Sequence, residues 1–161
     1  MHLANLLAGQ GEGQRAKKYY QHVLKLDPAS VSANYGLGMV LQHFSQDKEA
    51  PIPYYQSVIK FQPSHYKALT QLAIVHLALM QIDRASEYVK KAIHYNKNYP
   101  LSLITWGNLC FEVGKSDKAI KYHLAALKNS PQEVHAFIGL GNAYYDIEKP
   151  MDAIGYYARA L

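Results

Sequence analysis

Three columns of residues recur along this chain at a nearly constant period, and this periodicity constrains the fold more than any other feature of the sequence. One column is a tyrosine-rich pair that recurs at steps of 35, 34, 34 and 34 residues: Tyr19-Tyr20, Tyr54-Tyr55, Tyr88-Val89, Tyr122-His123 and Tyr156-Tyr157. The second column reads Leu37-Gly38, Leu72-Ala73, Trp106-Gly107 and Leu140-Gly141, and the third reads Pro28, Pro63, Lys97 and Pro131. Since a period of about 20 to 50 residues is typical of stacked structural repeats, the columns predict five copies of one unit.

The columns divide residues 1–161 into a single array with copies near 1–30, 31–65, 66–99, 100–133 and 134–161. The first copy has an incomplete first helix and the last is truncated in its second, so we expect a fragment of a longer protein or an end that docks on another chain. The step of 35 places a one-residue insertion in copy two, between Gly38 and Tyr54. That segment carries Pro51 and Pro53, which predict a second helix that begins late, near Pro51.

Within each copy, apolar residues follow a helical spacing in two stretches that a short polar turn separates. Copy four shows the pattern well: Leu101 to Val113 form a first helix, 114–117 a turn, and Ala119 to Leu127 a second helix. Small residues recur where paired helices would cross, at Gly38, Ala73, Gly107 and Gly141 in the first helices and at Ala16, Ala85, Ala119 and Ala153 in the second. The pattern predicts an all-α array of antiparallel helix pairs.

These columns resemble the tetratricopeptide repeat (TPR) family. The resemblance covers nearly the whole chain, and copy five, with 137–145 followed by 153–161, is similar to the family consensus. It implies a right-handed α-solenoid, a superhelix of stacked antiparallel pairs. The sequence departs from the family pattern at Pro51, where a small alanine is expected, and at Lys97, where a closing proline is expected.

Composition limits the compartment in which the chain would work. Of 161 residues, 49% are hydrophobic and only one is a cysteine, so a disulfide framework is excluded and a reducing compartment is expected. The first ten residues lack a basic segment, and the apolar run from Leu72 to Met80 is interrupted by His76. We expect a cytoplasmic protein without membrane insertion, and a nuclear location is not excluded.

Residues for catalysis or metal binding do not form a recognisable set. The eight histidines lack metal-ligand spacing, and the glycines from Gly9 to Gly13 do not follow a strand as a phosphate loop does. Cys110 lies in an apolar column with no general base in sequence. We therefore expect no enzyme activity, no metal and no cofactor, and we interpret His76 and His123 as core or half-buried histidines with a local hydrogen bond.

A net charge of +5 permits an acidic ligand such as nucleic acid. The lysines, however, lie mostly on the second helices between packing residues, which in a TPR-like stack is the outer face. The tyrosines mostly occupy packing columns, so stacking on bases is not needed to explain them. We expect protein partners and no nucleic acid.

The family resemblance implies that the first helices line a concave binding groove. The residues implied for that groove are Asn5, Tyr35, Met39, Lys67, Thr70, Gln71, Ile74, Thr105, Asn108, Glu112, His135, Ile138, Asn142 and Asp146. Asparagine both donates and accepts hydrogen bonds, which suits it to binding a peptide backbone.

Two known uses of the family's groove are not matched. The carboxylate clamp for chaperone tails needs a lysine and arginine pair, and here that pair is Lys67 and Gln71. The column that would supply the second lysine holds Tyr35, Ile104 and Ile138. An asparagine ladder like that of a nuclear glycosyltransferase would need asparagines where the chain has Gly36, Gln71, Thr105 and Gly139.

The sequence therefore predicts a non-catalytic interaction scaffold that binds a partner peptide or helix in its groove, and the family resemblance implies a place in a multi-subunit complex. Two alternatives remain open. In the first, the chain is the substrate-recruiting arm of a larger enzyme. In the second, it is a module that self-associates through the unfinished ends of its array.

Overall fold

The computed structural model describes residues 12–161, and every regular element in that range is an α-helix. Two compact units divide the chain, Met1–Gln81 and Ile82–Leu161. Unit 1 contains α1 (Gly13–Leu26), α2 (Val31–Phe44), α3 (Ile52–Phe61) and α4 (Tyr66–Ala78). Unit 2 contains α5 (Ile82–Tyr95), α6 (Pro100–Glu112), α7 (Ser116–Asn129), α8 (Val134–Asp146) and α9 (Pro150–Ala160).

Within each unit, every helix packs against the next one along the chain, and in unit 2 α6 also contacts α8 across α7. This last contact places the first helices of two consecutive repeats on the same side of unit 2. Such packing of neighbouring pairs is how helical repeats bury an apolar face that no single pair covers alone.

Polar side chains bond to the backbone where α2 begins. Ser30 caps α2, where its Oγ accepts a hydrogen bond from the Ala33 N–H at 3.4 Å. The buried amide of Asn34 donates to the carbonyl oxygens of Pro28 and Ser30, at 3.1 and 3.0 Å. The Ser30 cap satisfies an N–H at the start of α2 that the helix itself leaves unpaired, and the Asn34 amide joins the preceding turn to the helix.

The turns inside three repeats share a left-handed residue at the same position, namely Met80, Gly114 and Glu148, with φ of 57°, 69° and 59°. Only glycine adopts this conformation without steric cost. In each case the next residue's N–H donates to a carbonyl five residues back, as from Lys115 to Cys110 at 2.8 Å. The turn geometry is thus retained where the sequence lacks glycine.

The late start predicted for the second helix of copy two is confirmed. Pro51 is the N-cap of α3, which begins at Ile52. Pro51 is buried, like the alanines that occupy this column in other repeats. The turn before α3 therefore absorbs the additional residue.

The column of small residues lies where rings from the second helices meet the first helices. A Cβ added at Gly38 would lie 2.6 Å from the Tyr55 ring, and one added at Gly141 would lie 2.4 Å from the Tyr157 ring. Real Cβ atoms do not approach other atoms so closely, so a side chain at either position would displace the ring. The predicted close packing at the helix crossings is confirmed at these two positions.

Candidate functional site

A surface pocket of about 550 Å³ lies along α2 in unit 1. It contains two of the residues implied for the groove, Tyr35 and Met39, and the residues that complete its walls include Tyr20, His43, Phe44 and His65. The spacing explains most of this lining, because Tyr35, Met39 and His43 recur every four residues and so share one face of α2. Extending the predicted stripe by one more turn finds His43.

Aromatic contacts hold one wall of the pocket in place. The Tyr35 ring lies 5.8 Å from the Tyr55 ring and 5.1 Å from the His65 imidazole, measured between ring centroids. His65 is the N-cap of α4, where its Nδ1 accepts a hydrogen bond from the Ala68 N–H at 3.1 Å. This role requires an unprotonated Nδ1, and burial together with the nearby Lys67 lowers the pKa of His65.

The described lining of this pocket includes no Lys, Arg, Asp or Glu. Its polar groups are tyrosine hydroxyls, the Ser32 hydroxyl and imidazole nitrogens, and its apolar surface comes from Val31, Met39 and Phe44. A pocket with this composition fits an apolar or aromatic side chain with a few hydrogen bonds at its edge.

Three of the predicted groove residues, Thr70, Gln71 and Thr105, have buried side chains. Thr70 and Thr105 donate from Oγ1 to the carbonyl oxygens of Tyr66 and Leu101, at 2.8 and 2.7 Å. Gln71 accepts a hydrogen bond from Gln42 at 3.0 Å, and Gln42 in turn accepts one from the Tyr55 hydroxyl at 2.7 Å. These side chains stabilise the helices and offer little surface to a ligand.

The remaining predicted residues are accessible in different degrees. In unit 1, Lys67 is exposed and Ile74 is half-buried. In unit 2, α6 and α8 contact each other, and each carries a row of exposed residues. These rows are Asn108 and Glu112 on α6, and His135, Ile138, Asn142 and Asp146 on α8. Asn5 lies outside the described residues.

Two members of the α8 row also bond to neighbouring helices. Asn142 Oδ1 accepts from the Tyr157 hydroxyl at 2.7 Å, and Asp146 accepts from the Ser116 hydroxyl at 2.5 Å. Asp146 therefore lies at the N-terminus of α7, where a negative charge is favourable. Both side chains help to join helices, which limits their use in a test of partner binding.

The histidines interpreted as core residues differ in their contacts. His76 is buried and its Nδ1 lies 2.7 Å from Gln81 Oε1, so a local hydrogen bond is confirmed there. His123 is fully buried, yet neither of its ring nitrogens has a hydrogen-bond partner among residues 12–161. The predicted bond is therefore wrong for His123, because its neighbours across the helix crossing are Gly107 and Gly139, which offer no side chain.

Within residues 12–161, no three His, Cys, Asp or Glu side chains are grouped so as to hold a metal ion. Cys110 is buried, and burial raises the pKa of its thiol against the opposing influence of Lys118 and Lys115. Its thiol therefore remains protonated at neutral pH and packs as a small apolar group. Over the same residues, no helix has the length and apolar character needed to cross a membrane.

The helix pairs and the uncharged pocket on a first helix define a class of protein, the helical-repeat interaction scaffold. Sequence comparison agrees, since the model of the family described as tetratricopeptide repeat matches residues 2–66 and 104–161. The chain belongs to the tetratricopeptide repeat family.

Solved structures confirm the predicted all-α, TPR-like solenoid. The crystal structure of MamA matches with a TM-score of 0.79 and 21% identity, over 99% of this chain and 93% of that one. The structure of the APC/C hetero-tetramer Cut9–Hcn1 matches with a TM-score of 0.93 and 19% identity, over 99% of this chain and 32% of that one. At these identities the likeness concerns the fold.

Curated relatives are much longer proteins. The human protein O-mannosyl-transferase TMTC1 is 25% identical over 99% of this chain, which spans 18% of that protein. The chain spans less than a fifth of the length of the curated relatives that it matches.

Proposed function

We propose that this chain is a non-catalytic scaffold that holds a peptide or helix of a partner protein along its first helices, within a multi-subunit complex. The observation that carries this proposal is the uncharged pocket on α2, lined by Tyr35 and Met39. An apolar or aromatic side chain of the partner would fill the pocket, and the exposed Ser32 hydroxyl at its edge would contact the partner's backbone. The single buried cysteine supports a cytoplasmic location.

A charge placed in the pocket tests this proposal. Met39 is half-buried at the pocket, so Met39→Glu would leave a carboxylate without a partner in the bound state. We expect Met39→Glu to weaken binding by about tenfold or more. The measurement is a pull-down from host-cell lysate read by mass spectrometry, followed by calorimetry with the recovered partner.

The matched control is Gln56→Glu, which adds the same charge at an exposed position of α3 away from the pocket lining. Circular dichroism at neutral pH should show both variants folded. Partner loss in Met39→Glu alone supports the pocket as the site. If both variants recover the same partners in equal amounts, the partners bind elsewhere on the chain.

A second candidate is that the array recruits substrates for a larger enzyme. The similarity to a protein named as an O-mannosyl-transferase, of which the chain spans 18%, favours this candidate. The mass of the endogenous protein, read on an immunoblot with an antibody against residues 12–161, distinguishes the two candidates. A protein much larger than this chain's 18.2 kDa, with transferase activity in the precipitate, would support the enzyme arm.

A third candidate is self-association through α9. Ile154 and Leu161 are strongly exposed there. If this face joins two copies, Ile154→Glu/Leu161→Glu is expected to convert a dimer to a monomer in light scattering, because it buries two unpaired carboxylates. A wild-type chain that is already monomeric at high concentration would remove this candidate. Tyr157 is kept unchanged in this variant, since its hydroxyl bonds to Asn142.

A further inference from the structure

The outer side of unit 1 carries a second surface pocket, of about 620 Å³, that the proposed groove does not use. It lies between α1 and α3, the second helices of two consecutive repeats, and Leu37 of α2 contributes to its lining. The polar and charged residues that line this outer basic pocket are Lys18, Gln21, His22, Lys25 and Tyr54.

The charge around this pocket is unbalanced. The helix α1 carries Arg15, Lys17, Lys18 and Lys25, and it contains no acidic residue. Arg15 pairs with Glu12 at 3.1 Å, outside the pocket. Within the described part of the chain, neither Lys18 nor Lys25 is paired with a carboxylate. Unpaired cations that share one face attract an anionic partner.

The spacing of these residues makes the pocket a continuous surface. Lys18, His22 and Lys25 are four and three residues apart, so their side chains project from one face of α1. Leu24 supplies apolar surface beside them, above the fully buried Leu37. A ligand that matches this surface has carboxylates on both sides of an apolar side chain.

We propose that the outer basic pocket docks an acidic, amphipathic segment of a protein partner through its glutamate or aspartate carboxylates. Lys18 and Lys25 form charge-assisted hydrogen bonds with the carboxylates, and Gln21 and the Tyr54 hydroxyl supply neutral donors between them. A nucleic acid fits less well, because the pocket has one aromatic residue and few cations, whereas nucleic-acid affinity depends on many phosphate contacts and on base stacking.

The repeat provides an internal control for this proposal. Lys121 and Lys128 on α7 occupy the same repeat positions as Lys18 and Lys25, and both are exposed. The residues at the positions of Gln21 and His22, however, are Leu124 and Ala125. The α7 surface therefore has the same pair of lysines without the polar groups of Gln21 and His22.

The test is fluorescence anisotropy with a fluorescein-labelled peptide of four Glu-Glu-Leu triplets, at low ionic strength, where surface charges are screened least. We expect Lys18→Glu/Lys25→Glu to weaken binding by about tenfold or more, and Lys121→Glu/Lys128→Glu to weaken it by less than about twofold. The two variants are matched, because both change the net charge equally and substitute exposed positions. Circular dichroism checks that both are folded. Met39→Glu should leave this binding unchanged, which separates this proposal from the groove proposal.

Three results would overturn the proposal. Equal weakening by the two lysine variants would show that the peptide responds to net charge alone. Equal affinity for a labelled peptide of Gln-Gln-Leu triplets would show that carboxylates are not recognised. Tighter binding of a labelled oligouridine RNA, lost in Lys18→Glu/Lys25→Glu, would assign the pocket to nucleic acid instead.

Discussion

Acidification from pH 7 to pH 5 is expected to lower the free energy of unfolding of unit 2 by about 2 kcal/mol, because His123 is buried in its neutral form. Its imidazole is fully buried without a hydrogen-bond partner, and burial lowers its pKa from 6.5 to about 4. Charging the ring inside the helix crossing would cost free energy that no nearby group offsets.

The sign of the effect follows from proton binding. Between pH 4 and 6.5 the unfolded chain binds a proton at His123 and the folded chain does not. Stability is therefore full above pH 6.5 and is lost as the pH falls towards 4, by about 3 kcal/mol at the lower limit.

Urea titrations at several pH values, followed by tryptophan fluorescence, measure this loss. Trp106 is the single tryptophan, and its ring lies 5.8 Å from the Tyr122 ring in unit 2. The matched variant is His123→Phe, because rings of tyrosine fill the same position at Tyr20 and Tyr55. His123→Phe should remove the extra acid sensitivity, because a phenyl ring does not titrate. An unfolding midpoint that falls with acid equally in both proteins would contradict this assignment.

Gly139→Ala is expected to destabilise unit 2 by about 2 kcal/mol, although alanine is the better helix former. A Cβ at Gly139 would lie 2.3 Å from His123 Cε1. The ring has little room to retreat, because it packs closely against Gly107 on the other helix, where an added Cβ would lie 2.7 Å from Cε1. The two glycines therefore define a slot that the imidazole fills.

The same substitution at Gly155 is the control. Gly155 lies in α9 with nothing within 4 Å of an added Cβ, so Gly155→Ala should stabilise the helix by about 0.5 to 1 kcal/mol. Denaturation midpoints of the two variants should move in opposite directions. The double variant His123→Ala/Gly139→Ala should lose less free energy of unfolding than the two single variants lose in total. The reason is that the smaller side chain at 123 leaves room for the methyl group. Strict additivity would mean that the two residues do not contact each other.

Most of the local structure could be predicted from the sequence. The recurrence of Tyr55 and its equivalents predicted paired helices, and Pro51 predicted where α3 begins. The spacing of Tyr35 and Met39 also predicted that they share a face of α2, because residues four apart do so whatever the helix packs against. Periodicity succeeds here because helix propensity, turn residues and apolar spacing all act over a few neighbouring residues.

The candidate site was predicted less completely. Thr70 and Thr105 lie in the columns expected to face a ligand, yet their hydroxyls bond to their own helix backbone and are buried. His65 completes the α2 pocket although it precedes α4, since its ring lies 5.1 Å from the Tyr35 ring. Neither outcome follows from spacing, because each depends on which side chains from other helices occupy the same space.

The sequence by itself determined the repeat, its two helices and the small residues at their crossings, since these follow from short-range periodicity and steric preference. Only the tertiary structure decided that His123 lies between Gly107 and Gly139 with no hydrogen-bond partner. It also decided that Lys18 and Lys25 line a pocket, whereas the lysines in the sequence predicted only a solvated outer face. The physical reason is the same in both cases: hydrogen bonding and pocket shape depend on atoms contributed by residues distant in sequence, and a local pattern does not contain their positions.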